Sequence, residues 1–267
     1  MFKIDPLQGC FPAVQEDSHG RGGFRQFFPV GESCHLSDRF LVGIALLMVY
    51  VRTMVTLRAH PVFVVYVWAV AITIILRYVF YAIYEPELFD EDEYQPNVMI
   101  IVPAKNESSV IYSTARALGN LDYPKDKISV IMVNDGSDDD TGVWMDKISE
   151  DYGYEVIHLE RNMGKRSAIA KAMERNFSEI TVLVDSDSAL ESNALKQGLR
   201  GFYSKNTAAI CGHTDVANSK ATWLTRMQAQ QYFIAFKTFK SLEGYFRSVI
   251  CCSGAFSLYR TDSIRPL

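Results

Sequence analysis

From Asn97 to Val184 the sequence alternates short apolar runs with stretches of helical length, and no other feature narrows the possible folds as much. Val98-Met99-Ile100-Ile101-Val102 is an apolar run closed by Pro103, and Ser108 to Leu118 then has helical character. Ile128 to Val133 reads as a second strand ended by Asp135-Gly136, with a helix over Asp140 to Tyr152. Glu155 to Leu159, Lys165 to Asn176 and Ile180 to Val184 continue as strand, helix and strand. Strands separated by helices pair in parallel through right-handed crossovers. The spacing predicts an α/β unit with a mainly parallel, Rossmann-like sheet flanked by helices. Ligands of such sheets bind beyond the carboxyl ends of the strands.

The polar signals fall at those ends. They are Lys105-Asn106-Glu107, Asn134-Asp135-Gly136-Ser137, Arg161 to Arg166, and Asp185-Ser186-Asp187. Side chains alternate faces along an extended segment, so Asp185 and Asp187 point the same way, and two hard oxygen ligands at that spacing suit Mg²⁺ or Mn²⁺. Asp135, at a turn, can accept hydrogen bonds from a ribose or an imide N–H. The adjacent Asp138-Asp139-Asp140 lacks the ladder ending in a twelfth-position Glu that a calcium loop requires, and reads as a solvated loop and helix N-cap. Asn162-Met163-Gly164-Lys165-Arg166 opens a helix, where glycine allows close backbone approach and two cations favour an anion. It is not a Walker loop, because position 159 is Leu, and no G-x-G-x-x-G follows the first strand to hold a nicotinamide or flavin. A nucleoside-reading acid, a cationic helix start and paired carboxylates describe a pocket for a nucleoside diphosphate and its metal. The metal would stabilise charge on a departing diphosphate, which makes glycosyl transfer the reaction class.

Composition places this unit in context. The chain has 267 residues and a formal net charge of −4, with no basic footprint for nucleic acid. Phe40 to Leu57 is apolar apart from Arg52, and Pro61 to Tyr84 apart from Arg77. Each is long enough to cross a bilayer, and Arg58-Ala59-His60 is short enough for a tight reversal, so the pair reads as a transmembrane hairpin. The expected organisation is a tail over residues 1–38, the hairpin over 39–84, an acidic linker over 85–96 and the α/β domain over 97–267. The first 30 residues lack the continuous apolar core of a cleavable signal peptide. The cysteines Cys10, Cys34, Cys211, Cys251 and Cys252 lack C-x-x-C spacing and read as reduced thiols, mostly in the core.

In order and spacing, several motifs resemble those of the processive family 2 glycosyltransferases: Val102-Pro103-Ala104-Lys105-Asn106-Glu107, Val133-Asn134-Asp135-Gly136-Ser137, Asn162 to Arg166, Val184 to Ser188, Trp223-Leu224-Thr225-Arg226, and Cys251-Cys252-Ser253-Gly254 with Ser257-Leu258-Tyr259-Arg260. Within that group the chain looks most like hyaluronan synthases and the rhizobial nodulation N-acetylglucosaminyltransferase. The resemblance implies a GT-A nucleotide-sugar fold at the plasma membrane, multi-pass, with its catalytic domain in the cytoplasm. It implies UDP-N-acetylglucosamine as donor, UDP-glucuronate as a second donor for a hyaluronan synthase, a glycan acceptor and a lipid bilayer as partners, and no nucleic acid. Carried over by position, Glu107 and Asp135 would contact uridine, Lys165 and Arg166 would hold the diphosphate, Asp185 would lie near ribose or sugar, and Asp187 would ligate Mg²⁺ or Mn²⁺. Gly212 and His213 would lie beside the sugar and acceptor, and Ser253 and Gly254 would form the acceptor wall. Trp223 to Phe246 would be the helix between these parts, with Tyr232, Phe233, Phe236 and Phe239 packing in the core or facing the membrane.

Departures from the family pattern are Asn134 for a usual Asp, Lys105 for a frequent aromatic and Ala255 for a usual Pro. The sequence ends at Leu267, before the family's segments for the catalytic base and for Gln-x-x-Arg-Trp, so no catalytic base is assigned. The expectation is a chain that binds nucleotide sugar weakly and does not polymerise it alone. The alternative readings are a catalytically inactive membrane module that binds nucleotide sugar or a partner subunit, and a soluble α/β nucleotide hydrolase.

Overall fold

The computed structural model describes residues 2–4, 44–52, 61–85, 88, 94–202 and 204–265. The chain divides into two compact units, one of Met1–Phe11 with Tyr84–Leu267 and one of Pro12–Ile83.

In the second unit, α1 (Pro61–Ile83) is 23 residues long and has the length and apolar composition to cross a membrane. At 1.5 Å per residue it spans about 34 Å, close to a hydrocarbon core. Its apolar side chains, Val62, Val65 and Trp68 among them, are exposed. Residues 44–52 are helical and also present apolar side chains outward. The rest of the first apolar segment and the Arg58-Ala59-His60 connector lie outside the described residues, so among the described residues α1 is the one helix long enough to span.

The first unit is built on a six-stranded mixed sheet. Its strands are β2 (Val98–Ala104), β3 (Ile128–Asn134), β4 (Glu155–His158), β5 (Ile180–Val184), β7 (Ala209–Cys211) and β9 (Phe256–Arg260), in the order β4-β3-β2-β5-β9-β7. The first four in that order pair in parallel, as the alternation predicts, and β9 enters antiparallel between β5 and β7. The central strand β2 is buried along its whole length, which only a sheet covered on both faces allows. Val98, Ile100 and Val102 pack with α2 (Ile111–Gly119), α3 (Thr141–Tyr152), α5 (Ala194–Arg200) and Phe256. Met99 and Ile101 share the opposite layer with Ala168 and Ala172 of α4 (Lys165–Met173).

Several boundaries differ from the sequence reading. β2 runs through Pro103 to Ala104. The Ala104 carbonyl accepts the Asp135 N–H on the β3 side, so the missing Pro103 N–H faces the other side, where pairing with β5 has ended at Ile101–Leu183. α2 begins at Ile111 rather than Ser108, because Asn106 takes a left-handed φ of 56° and Glu107 to Val110 form a turn instead. α4 stops at Met173, and the buried Asn176 donates to Thr181 Oγ1 at 2.6 Å. Within the stretch expected to be a tail, Phe2–Ile4 forms β1, parallel to β6 (Ser188–Leu190) and antiparallel to β8 (Asp215–Val216). Strand β6 thereby gains a partner for its open edge. Cys10 and Cys34 lie outside the described residues. Cys211 is buried as expected, whereas Cys251 is exposed because it lies in the loop before β9.

Candidate active site

The loops after β2 and β3 are tied to each other by side chains that hold backbone groups. Asn106 N–H donates to Ser137 Oγ at 3.0 Å, and Asp138 N–H donates to Asn106 Oδ1 at 2.9 Å. Glu107 N–H donates to Thr141 Oγ1 at 2.8 Å, and the Lys105 ammonium reaches the Gly136 carbonyl at 3.4 Å. Within the Asp138-Asp139-Asp140 run, Asp139 serves the start of α3, accepting from Thr141 N–H at 3.0 Å and from Ser108 N–H at 3.3 Å. The Thr141 bonds, foremost the hydroxyl, and the bond from Ser108 lower its pKa to about 2.

Asn134 and Asp135 occupy the end of β3, both buried. Asn134 Oδ1 accepts the Ser137 N–H at 3.0 Å, while its amide nitrogen lies 3.1 Å from His158 Nδ1. His158 Nε2 lies 2.9 Å from Asp146 Oδ1, so the network closes with the proton on Nε2 and Nδ1 accepting from Asn134. An aspartate at 134 could not make that donation, which gives the departure from the family's Asp a local reason. Asp135 accepts Met163 N–H at 2.7 Å and Gly164 N–H at 2.9 Å, one on each carboxylate oxygen. It therefore shapes the loop after β4 from beneath. Gly136 completes the junction: at φ +59° a Cβ there would stand 2.4 Å from the Arg161 carbonyl carbon.

Beyond β5 burial alternates as the strand period requires. Ser186 and Ser188 are buried, while Asp185 and Asp187 are part-exposed on the other side. The Ser186 carbonyl accepts from Thr114 Oγ1 at 2.7 Å, which pins this turn to α2. Asp185 forms an ion pair with Lys165. Gly254 lies against that pair, where a Cβ would come within 2.8 Å of Lys165 Nζ and 3.0 Å of Asp185 Oδ1. Arg166 is exposed at the same helix start. Glu107 belongs to this acidic group: burial raises its pKa first, then the charges of Asp187, Asp139 and Asp185.

The structure thus brings Glu107, Asp135, Lys165, Arg166, Asp185, Asp187 and Gly254 to the carboxyl rim of one sheet. Gly212 and His213 stand one step further in. Gly212 N–H donates to the Phe256 carbonyl at 3.0 Å, and the Phe256 ring occupies the place a side chain at 212 would need. Cys211 Sγ accepts from Ser253 N–H at 3.4 Å. His213 is buried, with Nε2 3.0 Å from Asp215 Oδ1 and its ring edge-on to Phe236. Among the described residues it is Cys211, two residues before His213, that holds the Ser253 backbone. Sequence reasoning missed the Lys165–Asp185 pair, the Asn134–His158–Asp146 relay and the bridging role of Asp139, each of which links residues from separate elements. A cleft of about 1020 Å³ also opens at the opposite edge, lined by Asn97, Ile128, Tyr154 and Phe177. It borders the amino ends of the strands, away from the converging loops, and the chemistry is assigned to the carboxyl rim.

The donor set fits a divalent cation in one respect. Burial first and then the neighbouring carboxylates raise the Glu107 pKa, and a cation would relieve the repulsive part. Among the described residues no three His, Cys, Asp or Glu side chains form a ready cage. That suits an ion held by one or two carboxylates and completed by phosphate oxygens and water.

Residues 99–267 match the family described as glycosyl transferase family 2. The chain belongs to this family. An N-acetylglucosaminyltransferase of Azorhizobium caulinodans is 30% identical over 175 residues, covering 64% of this chain and 44% of that protein. A hyaluronan synthase of Streptococcus pyogenes serotype M3 is 28% identical over 194 residues, covering 69% of this chain and 45% of that protein. The matched region thus spans a little under half the length of these relatives. Among solved structures, a mannosyltransferase of Pyrobaculum calidifontis in complex with GDP-Man and Mn²⁺ superposes with a TM-score of 0.56 at 17% identity, covering 70% of this chain and 51% of that one. The fold is the α/β GT-A fold, with the mixed sheet and flanking helices described above.

Proposed function

We propose that this chain is a membrane-bound, metal-dependent hexosyltransferase that takes N-acetylglucosamine from UDP-N-acetylglucosamine and passes it to a growing glycan. The observation that carries this reading is the gathering of Asp135, Lys165, Asp185 and Asp187, from three separate loops, on the carboxyl rim of the sheet. The names of the relatives support the sugar, with UDP-glucuronate added if the product is hyaluronan. The membrane reading rests on α1 and on the second apolar segment before it, taken together as a hairpin at the cell membrane with the α/β domain on the cytoplasmic side.

Glu107 and Asp135 border the uridine, Asp135 doing so while it holds the backbone of residues 163–164. Lys165 and Arg166 meet the diphosphate at the start of α4. In the ligand-free chain Lys165 is engaged by Asp185, and an arriving diphosphate competes for the same ammonium and frees Asp185 to face ribose or sugar. Asp187 would ligate Mg²⁺ or Mn²⁺, which when bound supplies positive charge to the leaving diphosphate. Ser253 and Gly254 wall the acceptor side, next to the segment of Gly212 and His213.

Equilibrium UDP binding to the full chain, with and without Mn²⁺, tests the site. Mn²⁺ should tighten binding by at least about tenfold, and Asp187→Ala should remove that gain. Affinity indifferent to both the ion and the substitution would overturn the metal assignment. Membranes containing the chain, incubated with labelled UDP-N-acetylglucosamine, separate a transferase from an inactive nucleotide-sugar-binding module, since only the former moves label onto a glycan.

A further inference from the structure

We propose that His158 is a positioning residue for the nucleoside side of the site: as a neutral imidazole with its proton on Nε2 it fixes the Asn134 amide, and through it the loops after β2 and β3, and it releases them on taking a second proton. The inference rests on the reading of Glu107 and Asp135 as neighbours of uridine, and it names the residue that holds their loops in place.

The protons of the relay are assigned from a group that can only donate. Ser137 N–H gives its hydrogen to Asn134 Oδ1 at 3.0 Å, so the amide nitrogen of Asn134 faces the other way, where His158 Nδ1 lies at 3.1 Å. That ring nitrogen must accept, which leaves the proton on Nε2, 2.9 Å from Asp146 Oδ1. Each atom of the relay thus has one role. Asn134 is 7% exposed, so water does not readily replace a lost partner. Gly142 of α3 closes the space around it: a Cβ there would stand 3.1 Å from Asn134 Nδ2 and 3.6 Å from His158 Cε1. Ser137 Oγ in turn accepts Asn106 N–H at 3.0 Å, and Asn106 Oδ1 accepts Asp138 N–H at 2.9 Å. The loops after β2 and β3 are therefore held through one amide.

A second proton on His158 leaves no consistent arrangement. The imidazolium carries N–H on both ring nitrogens, so Nδ1–H meets the amide N–H₂ of Asn134. Turning the amide over gives the ring its acceptor but sets N–H₂ against Ser137 N–H, and the conflict only moves into the loop. An aspartate at 134 would reverse the sign, because its two oxygens take Ser137 N–H and the imidazolium Nδ1–H together. Among the described residues Asp146 of α3 is the one charged group bonded to the ring, and it accepts from Nε2–H in either state. From β3 the ring meets the uncharged Asn134, and on its own strand Glu155 is engaged by Arg175. Asp139, its pKa lowered to about 2 foremost by the Thr141 hydroxyl, stays ionised between about pH 8 and pH 5, where histidine changes charge. Glu107 is different: burial above all raises its pKa, so its titration has to be separated from that of His158.

Two readouts on the full chain, taken between about pH 8 and pH 5, test the inference. One is amide hydrogen exchange of the peptide containing Ser137, corrected for the intrinsic pH dependence of exchange. The other is equilibrium binding of uridine, which has no phosphate to titrate. In the wild type, acid should raise exchange at Ser137 and weaken uridine by about two- to tenfold, the worth of one hydrogen bond in the loop. The His158 side chain is 42% exposed, so substitutions there leave the core intact. His158→Asn sets an amide oxygen where Nδ1 stood and does not titrate; it should keep the loop and the affinity, and retain only the Glu107 part of the acid response. His158→Ala should be loose at every pH. Asn134→Asp should invert the exchange response, with the loop tighter in acid than at neutral pH. Equal acid responses in wild type and His158→Asn overturn the inference, as does a loop that loosens in acid in Asn134→Asp. A uridine affinity that stays level while Ser137 exchange rises overturns it too, because the loop would then not serve the nucleoside. If uridine binds at no pH, the nucleoside reading fails instead, and exchange still decides whether His158 holds the loop.

Discussion

The two halves of the candidate site are held in different ways. On the proposed nucleoside side, Asn106, Asn134, Asp135 and Asp139 spend their polar atoms on neighbouring backbone N–H groups, so the three loops after β2, β3 and β4 are fixed before any ligand arrives. On the proposed diphosphate side, Lys165 and Asp185 hold each other through one ion pair whose side chains are 53% and 32% exposed, and Arg166 lies open to water. The first half is preorganised and stiff. The second is held by charge alone and can be rearranged by a competing anion at small cost. A site built this way lets the nucleoside set the position and the phosphates trigger the change.

The largest effect should come from breaking the stiff half at its tightest point. Gly136→Ala places a methyl 2.4 Å from the Arg161 backbone at a φ of +59°. Left-handed strain and overpacking together should cost about 2–4 kcal/mol. A lowered thermal midpoint together with loss of both uridine and UDP binding is the expected outcome. An unchanged melting curve would mean that the two loops are not locked against each other.

A smaller effect should appear in acid. The pKa of Asp139 is lowered to about 2 from an ordinary 3.8 by its bonds from Thr141 and Ser108. A depressed carboxylate contributes stability that is complete above its unfolded pKa and is lost as pH falls through its folded one, so its contribution fades between about pH 4 and pH 2. Asp139→Asn should flatten that part of the stability–pH curve. If wild type and variant keep the same slope over this window, Asp139 does not bridge Ser108 and Thr141 in solution.

Much of the site's location was legible in the sequence, and little of its wiring was. Asp185 and Asp187 share a face because strand geometry has a period of two, a local rule that needs no tertiary knowledge. The parallel order of β2 to β5 follows from strand–helix alternation in the same local way. Asp135 is different: the sequence places an acid at a turn and suggests a nucleoside, yet its carboxylate is bonded to N–H groups at residues 163 and 164, a pairing that exists only after two crossovers have formed. The same holds for β9, which pairs with β5 across more than 70 residues, and for His213, whose ring is buried edge-on to Phe236. Helix ends were missed where a side chain competes with the backbone, as Asn106 and Asn176 do.

The loose half gives the smallest change in stability and the sharpest test of the comparison. Lys165→Ala removes a part-exposed ion pair, so the melting curve should move by no more than about 0.5 kcal/mol equivalent. Its effect on ligands should depend on the phosphates: losing a charge-assisted contact worth about 1.5–3 kcal/mol weakens UDP by roughly tenfold to a hundredfold, while uridine binding stays as it is. Gly136→Ala should weaken the two ligands alike. Isothermal titration of uridine and UDP into both variants separates these patterns. Equal losses of uridine and UDP in Lys165→Ala would mean that the ion pair helps shape the nucleoside side as well, and the division of the site into a stiff half and a yielding half would fail at the residue where the two meet.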